Sequence, residues 1–145
     1  MFKHILLPTD GSDPSRGATS RGIGFALAMG AQVTVLHVTP VFRPSEVYAH
    51  AVMREALEAE ARAKQDAHKV LDPIARGARA AGVACTPVHR VSDKPWEIIV
   101  AVAVEAECDL ISMASHGYTG IRALVLGSTT SKVVAHAKVS VLVWR

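Results

Sequence analysis

The sequence predicts an α/β protein: a single domain with a five-stranded parallel sheet and helices on both faces. Three observations predict it. Short apolar runs begin near Ile5, Val33, Val83, Leu110 and Ser140, and strands this apolar are buried on both sides. Longer segments with helical spacing alternate with these runs, giving the order β-α-β-α-β-α-β-α-β. Half of the 145 residues are apolar but only 5% are aromatic, so alanine and valine fill much of the interior, which suits helices packed closely on a sheet. The length is that of one domain with one substantial core, and no repeat or low-complexity tract divides it.

The elements follow in order. His4-Ile5-Leu6-Leu7 reads as a first strand, ended by Pro8-Thr9-Asp10-Gly11. Asp13-Pro14 reads as an N-cap followed by proline at the first helical position, opening a helix that runs to about Met29 and stops at Gly30. Gly22-x-Gly24 lies inside that helix, without the third glycine of a dinucleotide fingerprint, and reads as a helix–sheet contact. Val33 to Val38 is a second strand. A proline-containing loop, Pro40 to Ser45, leads into a helical region from Ser45 to Ala81, where Pro73 either kinks the helix or, with Asp72, caps a second one. Gly82 ends it. Val83 to Val91 is a third strand, and Pro87 within it points to an edge position. Ser92-Asp93-Lys94-Pro95 opens the next helix, Leu110 to Met113 is the fourth strand, and Ser140 to Trp144 is the fifth.

Composition bounds the function. A formal charge of +3 allows a small anionic ligand, but no basic patch with interleaved aromatics points to nucleic acid. Cys85 and Cys108 lack the spacing of a metal site and read as buried free thiols of a reducing compartment. Met1 to Thr9 is too short and too soon interrupted for a signal peptide. No apolar run approaches a membrane span. A soluble, cytoplasmic protein is expected.

The chemistry concentrates in one stretch. The strand at Leu110 to Met113 leads into Ala114-Ser115-His116-Gly117, then nine residues, Tyr118 to Leu126, then Gly127-Ser128-Thr129-Thr130 and a helical segment. A strand, a glycine loop and a helix start form a phosphate site, because exposed N–H groups and the helix dipole favour an anion. Glycines allow close backbone approach or a positive φ. Ser128, Thr129 and Thr130 are candidates to cap the helix and to donate hydroxyl hydrogen bonds. No acidic residue occurs from Leu110 to Arg145, so a polyanion meets little repulsion there. In such folds ligands sit beyond the C-terminal ends of strands, which also selects Pro8-Thr9-Asp10. Asp10 there suits hydroxyl or amino groups, or serves the turn itself.

Together these residues resemble the universal stress protein family, in its nucleotide-binding branch. The likeness spans the chain: Ile5-Leu6-Leu7-Pro8-Thr9-Asp10-Gly11-Ser12, Val35-Leu36-His37-Val38, Asp109-Leu110-Ile111, Gly127-Ser128 and Val139-Ser140-Val141-Leu142-Val143. The family's nucleotide motif is glycine, two residues, glycine, nine residues, then glycine and a hydroxyl residue. Gly117, Tyr118 to Leu126 and Gly127-Ser128 match it, while Ala114 stands at the first glycine. The added methyl is tolerated if φ at Ala114 is negative and costs about 1 kcal/mol or more if it is positive.

The resemblance implies an adenine nucleotide alpha-hydrolase-like, Rossmann-like fold and ATP as ligand, with or without Mg²⁺. It implies that Asp10 contacts adenosine, with Pro8 and Thr9 shaping that end of the pocket and the Val38 backbone at the adenine edge. Met113, Ala114, His116 and Gly117 line the ribose and phosphates; Gly127, Ser128 and Thr129 bind phosphates. His116 reads equally as a phosphate donor or a packed neighbour. Arg122 and Lys132 read as solvated surface ahead of phosphate partners, and His37 as a satisfied core or strand-end group. The resemblance also implies a homodimer through antiparallel pairing of the last strand, Ser140 to Trp144, whose apolar edge suits self-pairing. A regulatory, stress-response nucleotide-binding protein is the leading expectation. A slow nucleotide hydrolase is the enzymatic alternative, weakened because no P-loop lysine follows Gly127-Ser128. A dimeric adaptor that has lost the nucleotide is the third.

Overall fold

A computed structural model describes residues 1–44, 49–117 and 125–145. The strands are β1 (His4–Pro8), β2 (Gln32–Thr39), β3 (Cys85–Val91), β4 (Leu110–Ala114) and β5 (Ser140–Trp144). Between them lie α1 (Asp13–Met29), α2 (Ala49–Ala80), α3 (Pro95–Glu105) and α4 (Ser128–His136). Arg122 and most of the Tyr118 to Leu126 loop lie outside the described residues, as does Ser45, the expected start of the second helical region.

The strands form one parallel sheet in the order β3-β2-β1-β4-β5. The chain builds outward from β1 through β2 to β3, then returns to the other side of β1 for β4 and β5. The β1–β4 boundary is therefore where strand order reverses, the place where such sheets bind ligands. Side chains alternate across the sheet with the strand period of two. Ile5, Leu7, Val33 and Val35 face one layer, against Ala26 of α1 and Ala67, Leu71, Ala75 and Ala78 of α2. Leu6, Leu36, Ile111 and Met113 face the other, against Ile99, Val102 and Ala103 of α3 and Val133 of α4. Helices on both faces explain why the strands read as continuous apolar runs.

Several local expectations are corrected. The N-cap of α1 is Ser12, not Asp13: its backbone is extended and its Oγ accepts the Ser15 N–H at 3.3 Å. Pro14 is accordingly the second helical residue. Gly30 stops the helix at φ +66, as expected. Of the glycine pair, only Gly22 makes the helix–sheet contact; a Cβ there would lie 2.5 Å from Leu7 Cδ2, whereas Gly24 has nothing within 4 Å. Pro73 does not divide α2, which runs through it as one helix. β3 starts at Cys85 instead of Val83, because the Val83 N–H is committed to Ala78 O at the end of α2, at 2.9 Å. Pro87 sits on β3, an edge strand.

Candidate functional site

Three strand ends meet at the switch point, and each is fixed by its own hydrogen bonds. After β1 the Thr9 N–H donates to Leu36 O at 2.8 Å, holding the turn beside β2. His37 lies 2.8 Å through Nδ1 from Thr9 O; a carbonyl only accepts, so Nδ1 carries the proton and donates. His37 is thus the satisfied strand-end group that the sequence indicates. Ser15 Oγ donates to Thr9 Oγ1 at 2.6 Å and accepts the Asp10 N–H at 3.1 Å. Asp10 Oδ1 accepts both the Ser12 N–H at 2.9 Å and the Ser12 hydroxyl at 2.5 Å. Gly11 completes the turn at φ +81, a conformation open to glycine. Asp10 serves the turn and also lines the cleft beyond it, so its two candidate roles share one geometry.

After β4 the Ser115 N–H donates to Trp144 O at 2.8 Å, and the Gly127 N–H donates to Ser115 O at 2.7 Å. The second bond brings the start of α4 back onto the end of β4. Ser115 Oγ and His116 Nδ1 are 2.9 Å apart. Ala114 is the last residue of β4, and among the described non-glycine residues only Glu107 has a positive φ. The methyl at position 114 therefore sits on ordinary extended backbone and carries no conformational cost.

The capping expectation for α4 is corrected. Gly127 occupies the N-cap, at φ −57 and ψ 156, with no side-chain cap bond. Ser128, Thr129 and Thr130 form the first turn instead, and the Thr130 hydroxyl donates to Ala114 O at 2.9 Å. Packing explains the shift: a Cβ at Gly127 would lie 3.2 Å from His116 Cα and 3.3 Å from Ser115 O. A residue with no side chain at the cap leaves the first-turn N–H groups without the usual hydroxyl acceptor. An acceptor from outside the helix, such as an anion, suits that position.

These ends enclose a cleft of about 280 Å³. Pro8, Thr9 and Asp10 line it from β1, Val38 from β2, Met113, Ala114, His116 and Gly117 from β4, and Gly127, Ser128 and Thr129 from α4. The residues that the resemblance assigns to the nucleotide thus surround one space. Lys132 is exposed and does not line it. Thr130, read from the sequence as a cap candidate and hydroxyl donor, lines it too, and among the described residues four further lining residues were not selected: Ser15, Leu36, Pro95 and Ile99. Leu36 was legible, two positions before Val38 on the same side of β2. Ser15 carried a weak signal as the third residue after its cap. Pro95 and Ile99 carried none, since only the return of α3 across the sheet brings them here. The cleft has one apolar wall, Leu36, Val38, Pro95, Ile99 and Met113. The rest of the described lining is mainly polar: hydroxyls, Asp10, His116 and the α4 start. Such a combination suits a flat apolar group joined to an anion.

The universal stress protein family model matches residues 1–145. The chain belongs to that family. A universal stress protein of Thermus aquaticus, encoded beside a QAH/OAS sulfhydrylase gene, is 35% identical and is covered over its full length by the full chain. The universal stress protein UspA from Lactobacillus plantarum superposes with a TM-score of 0.79 at 28% identity, over 99% of this chain and 97% of that one. A universal stress protein solved in complex with cAMP superposes with a TM-score of 0.71 at 24% identity, covering 99% and 97%. Further structures of the family carry AMP and dAMP. Among the described residues no helix is long and apolar enough to cross a membrane.

Proposed function

We propose that the cleft binds an adenine nucleotide, ATP by preference, and that this universal stress protein is a regulatory homodimer that responds to it. The observation that carries the reading is a single cleft lined both by apolar side chains and by the N-terminus of α4, where the Gly127 cap offers no side-chain hydrogen bond. Val38, Met113 and Ile99 hold the base, and the Val38 backbone reads its edge. Asp10 accepts from adenosine hydroxyl or amino groups while Ser12 anchors its Oδ1. Gly127, Ser128 and Thr129 receive the phosphates through N–H and hydroxyl groups, with His116 beside them. Bound nucleotides in other family members support the class of ligand.

Hydrolysis is at most slow on this reading. Leu110 to Arg145 contains no carboxylate to hold Mg²⁺ at the phosphates. Asp10 is spent on the turn and the adenosine. ATP enters with or without Mg²⁺. The adaptor alternative drew its support from Ala114, and extended backbone at that position weakens it.

Calorimetry on nucleotide-stripped protein, with and without Mg²⁺, tests the proposal beside Gly127→Val. A valine there presses its branched side chain into His116 and Ser115. Saturable ATP binding, weakened at least about tenfold in the variant, is expected, a loss of about 1.4 kcal/mol. Absence of binding at millimolar ATP would refute the proposal and leave the adaptor first.

A further inference from the structure

Asp10 and Gly117 meet across the switch point, one from the turn after β1, the other from the segment after β4. A Cβ placed on Gly117 would lie 2.0 Å from Asp10 Oδ2 and 3.1 Å from Asp10 Cγ. Close-packed atoms cannot share that space, so the Asp10 side chain or one of the two strand ends would have to move. The carboxylate is not free to swing aside. Its Oδ1 holds the Ser12 N–H and hydroxyl at 2.9 and 2.5 Å, and the Asp10 N–H is fixed on Ser15 Oγ. Turning the side chain away would break the turn that starts α1. The φ of Gly117 lies outside the left-handed range, so glycine is not required there by its own backbone.

We propose that Asp10 and Gly117 are an interlocked pair. The carboxylate seats over the bare Cα of Gly117, and that contact sets the width of the cleft between β1 and β4. Gly117 is then a positioning residue, whose missing side chain is required by Asp10 before any ligand arrives. The inference deepens the nucleotide reading and rests on it only for the effect on affinity.

The test introduces Gly117→Ala into three backgrounds: wild type, Asp10→Asn and Asp10→Ala. Asparagine keeps the size of the side chain, and alanine removes it. Two quantities are read, the melting temperature of nucleotide-free protein and ATP affinity by calorimetry. An interlock lowers the melting temperature by about 5 °C in the wild-type and Asp10→Asn backgrounds, and by less than about 1 °C in Asp10→Ala. ATP affinity falls about tenfold on Gly117→Ala in wild type and not further in Asp10→Ala, the non-additivity of residues in contact.

An equal loss of melting temperature in all three backgrounds would overturn the inference, since Gly117 would then serve its own backbone. An unchanged melting temperature in wild type, with affinity lost equally in every background, would also overturn it and assign the glycine to the ligand. Where Gly117→Ala alone yields no folded protein, recovery by Asp10→Ala supports the interlock and failure in both sinks it. Wild-type protein that binds no ATP would remove the nucleotide reading, while the melting comparison still decides the interlock.

Discussion

Gly22 and Gly24 stand two positions apart on α1, yet only Gly22 touches the sheet. A methyl at Gly22 would lie 2.5 Å from Leu7 Cδ2 and 3.1 Å from Ser112 Oγ. Leu7 is fully buried, so its side chain has no open space to move into. Gly22→Ala is expected to destabilise by about 1–3 kcal/mol, the range for overpacking a core. Gly24→Ala meets nothing within 4 Å and is expected to stabilise by about 0.5–1 kcal/mol, because alanine loses less backbone entropy in a helix. Urea titrations of both variants check the opposite signs, and a shared sign would refute the packing argument. Glycines at 117 and 127 follow the same logic. Neither has a positive φ, and each lies where a side chain would strike the opposite strand end.

The entry to β4 shows how one short connection ties two elements. Asp109 accepts the Lys3 N–H at 2.8 Å and the His4 N–H at 3.1 Å, and its own N–H donates to His4 O at 2.9 Å. Burial alone would raise its carboxyl, but the hydrogen bonds from Lys3 and His4 outweigh it and hold the group below its ordinary value. Beside it, burial and then the Asp109 charge push the Cys108 thiol from 9.0 up to about 11. Between those values the folded protein keeps a proton that the unfolded chain loses. Stability from this group is therefore full below pH 9 and falls as pH rises toward about 11. The loss is on the order of 2 kcal/mol. Urea midpoints at pH 8 and pH 10 should fall further for wild type than for Cys108→Ala; equal falls would contradict the assignment. α2 teaches a different lesson at this scale. Its 32 residues span about 48 Å, longer than any strand it covers. Among its described side chains the buried ones, Ala67, Leu71, Ala75 and Ala78, all lie in the second half, while Met53 and Leu57 in the first half are exposed. Apolar spacing was read along the whole helix, but only the part lying over β2 and β3 has a sheet to face.

For the whole molecule, β5 is a free edge of the sheet in the strand order. Trp144 anchors it, with Nε1 donating to Ser112 Oγ at 2.8 Å and the Arg21 guanidinium 5.8 Å from its ring centre. An anchored, half-buried valine-rich edge is suited to pairing with a second copy. Val143→Lys places like charges together in such a pair and is expected to convert a dimer of about twice 15.4 kDa into a monomer. Sedimentation at several concentrations reads this directly; a wild-type protein that sediments at 15.4 kDa would remove the homodimer from the proposed function.

Much was legible from residues alone. Strand number, helix alternation, the edge position of β3 and the family followed from apolar runs, Pro87 and the motif from Asp109 to Thr130. These signals are local, because a parallel strand buried on both faces and a glycine loop each write their pattern into a few consecutive residues. Pro8 to Asp10, Ala114 to Gly117 and Gly127 to Thr129 were legible for the same reason, since they sit at strand ends or a helix start, while Val38 and Met113 came from the family resemblance. What only the tertiary structure decided depends on distant segments meeting. The α1 cap is the local exception: Ser12 takes it because its hydroxyl and N–H bond Asp10 and Ser15, two and three residues away. Gly127 became the α4 cap where His116 Cα and Ser115 O crowd any side chain. The φ at Ala114 was set by its pairing with Trp144 in the sheet. Pro95 and Ile99 joined the apolar wall only through the return of α3 across the sheet. Periodicity reports which face of an element is buried; it carries no record of which atoms from elsewhere in the chain arrive to bury it.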